Sequence, residues 1–407
     1  MAGVLMQIAL GAVYAWSVFR IPWTRDYGWT VSQVTRAFEL AILVLGFAAF
    51  LGGLWMKRSG PRPVLFLAAV LYGLGTVLAG LSHNLAMLYL TYGVIAGAGL
   101  GLGYIVPVAT LIRWFPDKRG MITGIAVAGF GAGALITAPI AERLIAAVGV
   151  SSTFMVLGIA YFAILMLAAT VMKNPPAGYA PAGFQASRVR GSAAHDFTLP
   201  QALQAWQWYG LWLTLFLNST AGIAIISQAS PMAQEISHVS AVTAAGLVGI
   251  ISIANGSGRF LWAWLSDPIG RKAVFLTMFL VQAAGFLLLS HVSGFASLTT
   301  LAFVILLCYG GGFGTMPAFA ADYFGAKDVG SIYGLMLTAW GAAGVVGPTL
   351  IAQIRQATGH YQGALRIMAI ATLLSAIVPL LLRPPVVRRK APEKDGELES
   401  ARRRIAS

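Results

Sequence analysis

Charged residues are scarce in this 407-residue chain. Asp, Glu, Lys and Arg together make up 10% of the sequence, against about 25% in an average soluble domain. Hydrophobic residues make up 58%, which is more apolar side chain than a soluble core of this size could bury. The composition therefore excludes an ordinary soluble domain, and we expect a lipid bilayer to surround most of the chain.

Sequence patterns for cofactors and catalysis are missing as well. The single cysteine, Cys308, cannot form an internal disulfide, and no Cys/His cluster has metal-ligand spacing. We find no phosphate-binding loop and no Ser/His/Asp or Cys/His arrangement. We therefore expect no metal, no cofactor and no enzyme. A membrane nutrient sensor is an alternative, although the polar segment after Arg383 is short for a soluble output domain.

Acidic residues are outnumbered, with 13 against 27 lysines and arginines. Most of the basic residues stand in short clusters between apolar runs or after Arg383, so we expect no nucleic-acid partner. They also alternate between successive loops. Because basic loops stay on the cytoplasmic side of a membrane, the pattern predicts an inner (plasma) membrane protein with both termini in the cytoplasm.

Long apolar runs are abundant. Twelve segments have the ~20 residues needed to cross about 30 Å of hydrocarbon, and backbone groups in lipid must bond internally, which favours helices. The predicted fold class is therefore an all-α membrane protein with twelve transmembrane helices. The predicted spans are residues 3–22, 32–56, 63–82, 85–112, 121–146, 151–172, 207–229, 241–265, 273–293, 297–321, 331–354 and 363–382.

The chain also repeats itself. The motif Gly60-Pro-Arg62 follows the second span, and Gly270-Arg271, preceded by Asp267, follows the eighth. This repeat predicts two pseudo-symmetric six-helix halves with a substrate site between them near the mid-membrane, and a gating role for the motif residues. The predicted domains are residues 1–172, a cytoplasmic linker at 173–206, residues 207–382, and a basic cytoplasmic tail at 383–407.

Arg259 is the most informative single residue. It stands eight residues before Asp267, which places it roughly 12 Å inside the bilayer, where a guanidinium is costly and cannot lose its proton. No acidic residue is an obvious partner, since Glu39 and Glu142 are expected near the outer ends of their helices. A carboxylate substrate would complete the pair. The alternative is an arginine that bonds backbone carbonyls or water and locks the two halves.

Several other side chains are expected at the same depth. Asn255 lies one helical turn before Arg259 and could orient the guanidinium or the ligand, or bond a neighbouring helix. Tyrosine hydroxyls could donate to a carboxylate while aromatic rings set the pocket size, although packing alone would also place aromatics there. The mid-helix aromatics are Tyr14, Tyr104, Phe130, Tyr309, Phe313 and Trp340.

Several segments resemble the oxalate/formate antiporter and monocarboxylate transporter group of the major facilitator superfamily. They are the glycine-rich run 97–104, the loop Arg113-Trp-Phe-Pro-Asp-Lys-Arg-Gly120, the segment 196–203 and the segment 255–272. The resemblance covers nearly the whole chain, and among group members it is nearest to the bacterial lactate transporters.

The resemblance implies roles for the residues above. Arg259 matches the substrate-binding arginine of the family, Tyr14 and Tyr104 match pocket tyrosines, and Phe130, Tyr309 and Phe313 fall at pocket aromatic positions. Trp340 replaces a lysine of the oxalate transporter, and a single central cation suits a monoanion better than a dianion.

Other departures concern the proton and the gate. Asn255 replaces an aspartate of the animal monocarboxylate transporters, and no lysine is present in the first span. Lys57 replaces a gating acid. The resemblance therefore implies alternating-access transport of L-lactate or pyruvate together with a proton, with no evident proton carrier. An oxalate/formate-type exchanger is the alternative transporter.

Overall fold

The computed structural model describes residues 1–176, 178–181 and 196–385. Residues 177 and 182–195 of the predicted linker, and residues 386–407 of the predicted tail, lie outside the described residues. The boundaries of linker and tail stay predictions. Within the predicted linker, one short helix, Leu199–Gln204, precedes the second set of long helices, and a capping box at Thr198 begins it.

The first half contains helices α1 to α6. Helix α1 runs through Ala2–Gly11, the 3₁₀ turn Ala12–Ala15 and Trp16–Tyr27; α2 is Val31–Ser59; α3 is Pro61–Gly80; α4 runs through Leu85–Leu88, the π-helical segment Tyr89–Ala96 and Gly97–Trp114. The helical stretch Arg119–Val171 is broken at Gly149, whose φ is 80°, into α5 (119–148) and α6 (150–171). A positive φ is open to glycine at little cost, so Gly149 turns the chain without a loop.

The second half contains helices α7 to α12. These are Trp206–Ser237 (α7), Ala241–Ile269 (α8), Arg271–Leu289 (α9), Phe295–Phe324 (α10), Val329–Met336 with Thr338–Thr358 (α11), and Tyr361–Ser375 with Ile377–Leu381 (α12). Each predicted span lies on one of the twelve helices. The ends differ, and α7 differs most, since it continues to Ser237 rather than stopping at 229.

The described helices are long enough for twelve crossings. Nine helices are long and apolar enough to span a membrane, and bent α1, with 47° between its two parts, makes a tenth. One of the nine, Arg119–Val171, has 53 residues and holds two spans. Helix α8 has 29 residues and is about 44 Å long at 1.5 Å per residue. The predicted all-α fold with two six-helix halves is confirmed.

The helices connect alternately at two faces of the molecule. We call the face that carries Met1, Gly60, Gly270 and Leu382 the terminal face, and the opposite one, which carries Gly28 and Gly359, the distal face. Odd-numbered helices run from the terminal to the distal face, and even-numbered helices run back. This alternation places the middle of every helix in one central layer.

Candidate functional site

The two halves are joined by polar contacts at the terminal face. At the end of α8, Asp267 accepts hydrogen bonds from the backbone N–H groups of Gly120 (3.0 Å) and Met121 (2.9 Å) at the start of α5. Arg271 forms ion pairs with Asp267 at 2.7 Å and Asp322 at 2.9 Å. A carboxylate at a helix N-terminus satisfies unpaired N–H groups and the helix dipole. The predicted gating residues Asp267 and Arg271 therefore lie at a closed contact.

The first half contributes basic side chains to the same closure. Arg119 pairs with Asp322 at 3.1 Å, and Lys57 pairs with Asp328 at 2.5 Å. Below Lys57 the backbones of α2 and α11 touch, since a Cβ built on Gly53 would lie 2.1 Å from the carbonyl oxygen of Gly330. Substrate could not pass between the halves at this face in the conformation described.

Gly60, Gly270 and Arg62 lie beside this contact without crossing it. Gly60 and Gly270 have φ of 78° and 94° and begin α3 and α9. Arg62 donates to the carbonyl oxygens of Met172 (3.2 Å) and Thr170 (2.8 Å), which belong to its own half. Of the predicted gating residues, Asp267 makes the direct contact between halves, Arg271 reinforces it, and the other three shape the ends of helices.

A cavity of about 260 Å³ enters the molecule from the distal face. Its walls come from α1 and α2 of one half and from α7, α8, α10 and α11 of the other. Polar contacts at this face, such as Arg355–Glu235 and Tyr27–Ser151, join helices of the same half. The cavity lining includes Tyr14, Arg20, Glu39, Ile223, Ile226, Ser227, Val248, Tyr309, Trp340 and Pro348.

Arg259 lies beneath the floor of this cavity and is 0% exposed. Its Nε donates to Asn255 Oδ1 at 3.3 Å, and its Nη2 donates to Tyr14 OH at 3.4 Å. Its guanidinium carbon lies 4.8 Å from the Phe313 ring centre and 5.2 Å from that of Phe130. Cation–π contacts of this kind are worth about 2 kcal/mol when desolvated. The aromatic faces thus offset part of the cost of the buried charge.

The aromatic residues predicted at mid-depth form one cluster around Arg259. Phe130 meets Tyr14 and Tyr104 edge-on at 5.2 and 5.3 Å between ring centres. Trp340 lies 4.9 Å from Phe313, which in turn lies 5.2 Å from Tyr309. Tyr14, Tyr309 and Trp340 also line the distal cavity. These three rings therefore separate the cavity from the buried guanidinium.

The cluster holds polar atoms that have no partner in the structure. Arg259 Nη1 and the hydroxyls of Tyr104 and Tyr309 are buried without a hydrogen bond. Among the described residues, no carboxylate lies within 4.0 Å of Arg259. A buried donor left unsatisfied costs about 1–3 kcal/mol, and more when it is charged. Several such donors around one cation make a site that an anion would complete.

Tyr333 belongs to this site and was missed by sequence reasoning. It is 0% exposed, its hydroxyl makes no hydrogen bond of good geometry, and it interacts with the Tyr104 hydroxyl and electrostatically with Arg259. It stands seven residues before Trp340, which is two helical turns and hence the same face of α11. The seven-residue spacing could have indicated Tyr333 from the sequence. Tyr333 lies near the start of its helix, however, and only mid-helix aromatics were predicted at the site.

Glycines on α10 allow α8 to come close enough to place Arg259. A Cβ built on Gly310 would lie 2.0 Å from the backbone oxygen of Asn255, and one built on Gly314 would lie 2.0 Å from that of Arg259. Across the halves, a Cβ on Gly131 of α5 would lie 2.3 Å from the Cα of Gly256. Small residues permit such backbone contacts in lipid, so the position of Arg259 depends on these glycines.

Comparison with known proteins gives the family. The profile of the Major Facilitator Superfamily matches residues 1–348 and 211–406. The chain belongs to the major facilitator superfamily. Its fold is also that of the Escherichia coli fucose:proton symporter FucP. The match to FucP in the outward conformation has a TM-score of 0.69 and 19% identity over 93% of this chain and 97% of that one.

Curated relatives agree with the group suggested by the sequence. The chain is 30% identical to the uncharacterized MFS-type transporter YhjX of Escherichia coli (strain K12), over 84% of each protein. It is 28% identical to the oxalate:formate antiporter of Oxalobacter formigenes, over 94% of this chain and 91% of the relative. It is 26% identical to apicoplast pyruvate carrier 1 of Toxoplasma gondii, over 86% and 74%. The resemblance to this group is confirmed, and the chain is a multi-pass membrane transporter.

Proposed function

We propose that this transporter carries small monocarboxylates such as L-lactate and pyruvate by alternating access, together with a proton. The observation that carries the proposal is the buried Arg259 guanidinium, whose Nη1 has no partner while unpaired tyrosine hydroxyls surround it. A carboxylate would accept from Nη1 and from the hydroxyls in one charge-assisted cluster. Arg259 is the single cation of the central cluster in the described part of the chain, and one charge fits one carboxylate rather than two.

The surrounding residues would select short acids. The Trp340 ring centre lies 6.0 Å from that of Phe130 and 4.9 Å from that of Phe313, so the surroundings of the guanidinium are aromatic and apolar. A two- or three-carbon chain would contact these rings. Pyruvate is named in one relative, and a small carboxylate, formate, in another. Both facts support a monocarboxylate substrate.

The orientation belongs to the proposal. With the basic loops of the terminal face in the cytoplasm, the distal cavity would open outward, and the conformation described would be outward-facing with Tyr14, Tyr309 and Trp340 over the site. An anion bound at Arg259 neutralises the central charge and so favours the rotation of the halves that closes the distal face.

The test is uptake of labelled L-lactate into vesicles that contain the purified transporter, with and without an inward proton gradient. We expect gradient-stimulated uptake that is lost in Arg259→Ala and kept in the control Arg366→Ala, which removes an exposed arginine of α12. Undiminished uptake in Arg259→Ala would exclude the proposed site.

A second candidate is an organic anion exchanger. It is favoured by the absence of a carboxylate near Arg259 in the described part of the chain, and by the similarity to an oxalate:formate antiporter. Uptake that needs an anion inside the vesicles and ignores the proton gradient would identify the exchanger. Uptake from an outside-acid buffer into empty vesicles would identify the proton-coupled carrier.

A further inference from the structure

The carboxylate of Glu39 lines the distal cavity. Its lining includes two charged side chains, Arg20 of α1 and Glu39 of α2. Glu39 is eight residues from the start of α2 at Val31, about 12 Å inside the distal end of the helix. Its side chain is exposed to the cavity. An ionisable residue at membrane depth that lines a water-filled cavity is costly and marks a transport pathway or a proton relay.

Several titratable groups stand near Glu39, and on its own helix the exposed Arg36 is three residues before it. The cavity lining adds Arg20 and Tyr14 from α1 and Tyr309 from α10. On α4, which packs against α2, Tyr89 donates to the carbonyl oxygen of Gln33 at 2.9 Å. Neither Arg20 nor Glu39 has an ion-pair partner within 4.0 Å among the described residues.

The wall that faces α2 is largely apolar, and its polar side chains, Ser227 and Tyr309, carry no charge. Its apolar part is formed by Ile223, Ile226, Val248 and Pro348 from α7, α8 and α11. If the halves rotate to close the distal face, this wall removes water from Glu39. Burying an unpaired carboxylate in apolar surroundings is far more costly than burying the neutral acid.

Rotation of the halves does not bring Arg20 closer to Glu39. Arg20 belongs to the same half as Glu39, so a rigid rotation of one half against the other leaves the separation of their backbones unchanged. Protonation of the carboxylate would neutralise Glu39 before the distal face closes.

We propose that Glu39 is the proton-binding residue that couples this transporter to the proton gradient. The inference rests on the proposed function above. Glu39 takes a proton from water on the distal side, and the halves close over the neutral acid while Arg259 holds the monoanion. After rotation Glu39 regains water on the other side and gives up the proton. One proton and one carboxylate therefore cross together.

The test compares Glu39→Gln with the matched control Glu142→Gln, an exposed acid of α5 that is absent from the cavity lining. Glutamine keeps the size of the side chain and mimics the protonated acid. We expect Glu39→Gln to retain exchange of labelled L-lactate against internal L-lactate, to lose accumulation driven by an inward proton gradient, and to lose the pH dependence of uptake. Glu142→Gln should behave like the wild type.

Gradient-driven accumulation by Glu39→Gln at the wild-type level would overturn the inference, as would wild-type exchange that never responds to a gradient. Both outcomes leave the monocarboxylate site intact. No flux of L-lactate or pyruvate through the wild type would instead reject the proposed function. If Glu39→Gln also loses exchange, Glu39→Asp decides: recovery of both activities supports a required acid, and loss of both rejects the assignment.

Discussion

Single residues at the centre of the molecule are arranged around one guanidinium. Arg259 bonds Asn255 on its own helix and Tyr14 across the interface between halves, so both halves already contact the group proposed to bind substrate. Asn255 occupies one N–H of the arginine and leaves Nη1 unsatisfied. Some N–H groups of Arg259 thus bond both halves of the protein, while Nη1 is left for a ligand. A small anion bound there could therefore influence the contact between the halves.

Arg259→Lys tests the geometry of the guanidinium rather than its charge. Lysine keeps the positive charge but has no planar fork for a carboxylate. Loss of one charge-assisted hydrogen bond, about 1.5–3 kcal/mol, should raise the KM for L-lactate roughly 10- to 100-fold. Initial rates of uptake across a range of substrate concentrations would measure it, with Arg366→Lys as the control. An unchanged KM would favour a purely structural arginine.

Tyr333→Phe tests the residue that the sequence did not single out. If the Tyr333 hydroxyl donates to the proposed anion, its removal should cost about 0.5–1.5 kcal/mol and raise KM roughly 2- to 10-fold. The melting temperature should change little, because the hydroxyl makes no hydrogen bond of good geometry in the unloaded protein and only a weak interaction with Tyr104. Tyr361→Phe, at the distal end of α12, is the matched control. Equal KM values for the two variants would remove Tyr333 from the site.

At the scale of helices, glycine contacts hold α8 against α10. Gly314→Ala would place a methyl group 2.0 Å from the backbone oxygen of Arg259. Overpacking typically costs about 1–3 kcal/mol, so we expect a lower melting temperature and weaker uptake. Gly246→Ala is the control on α8, since a Cβ there meets nothing within 4 Å. Similar stability in both variants would show that the two helices can separate without loss.

Helices and their order follow from the sequence, because apolar length in lipid leaves few alternatives. Hydropathy locates α2 and α9 within a few residues, and the depth of Arg259 follows from its distance to Asp267. Hydropathy does not predict three other features, which are the bend of α1, the π-helical turn Tyr89–Ala96 and the continuation of α7 to Ser237. These features depend on packing against neighbouring helices, which hydropathy does not report.

The site itself is partly predictable in the same way. A buried arginine without a partner is visible in the sequence, and so are aromatics at equal depth. Which aromatic side chains contact one another depends on how each helix is rotated about its axis. Tyr333 was missed because membrane depth alone does not determine which side chains reach the site. Likewise Glu39 was expected near an outer end, and its exposure to the cavity between halves became visible only once α1, α2 and α11 were placed together.

In the whole molecule, the terminal contact is pseudo-symmetric with inverted charge. Asp267 of the second half caps the start of α5, and Lys57 stands at the matching position of the first half, where it pairs with Asp328 before α11. Each half thus holds the first turn of a helix from the other, one through an acid and one through a base. Lys57 replaces the gating acid of the family, and the contact between the halves is kept because Lys57 pairs with Asp328.

Lys57→Glu would place two acids against each other at this contact. We expect reduced uptake, because repulsion from Asp328 weakens closure of the terminal face. The double variant Lys57→Glu/Asp328→Lys should recover part of the lost rate, although a lysine before α11 opposes the helix dipole. Arg58→Glu changes the neighbouring exposed charge and is the control. Rates in the double variant no higher than in Lys57→Glu would argue against the ion pair.

Arg259 has no acidic partner among the described residues, so the net charge at the centre of the protein differs between the empty and the loaded carrier. With the proposed monoanion bound, the charge of Arg259 is neutralised; without it, the halves must rotate around an uncompensated positive charge at low dielectric, which costs more. If the proposed function holds, we expect the return of the empty carrier to be the slow step of the cycle. Substrate waiting on the far side relieves it, a behaviour known as trans-stimulation. A carrier that accumulates acids with protons would therefore resemble an antiporter whenever both compartments contain substrate.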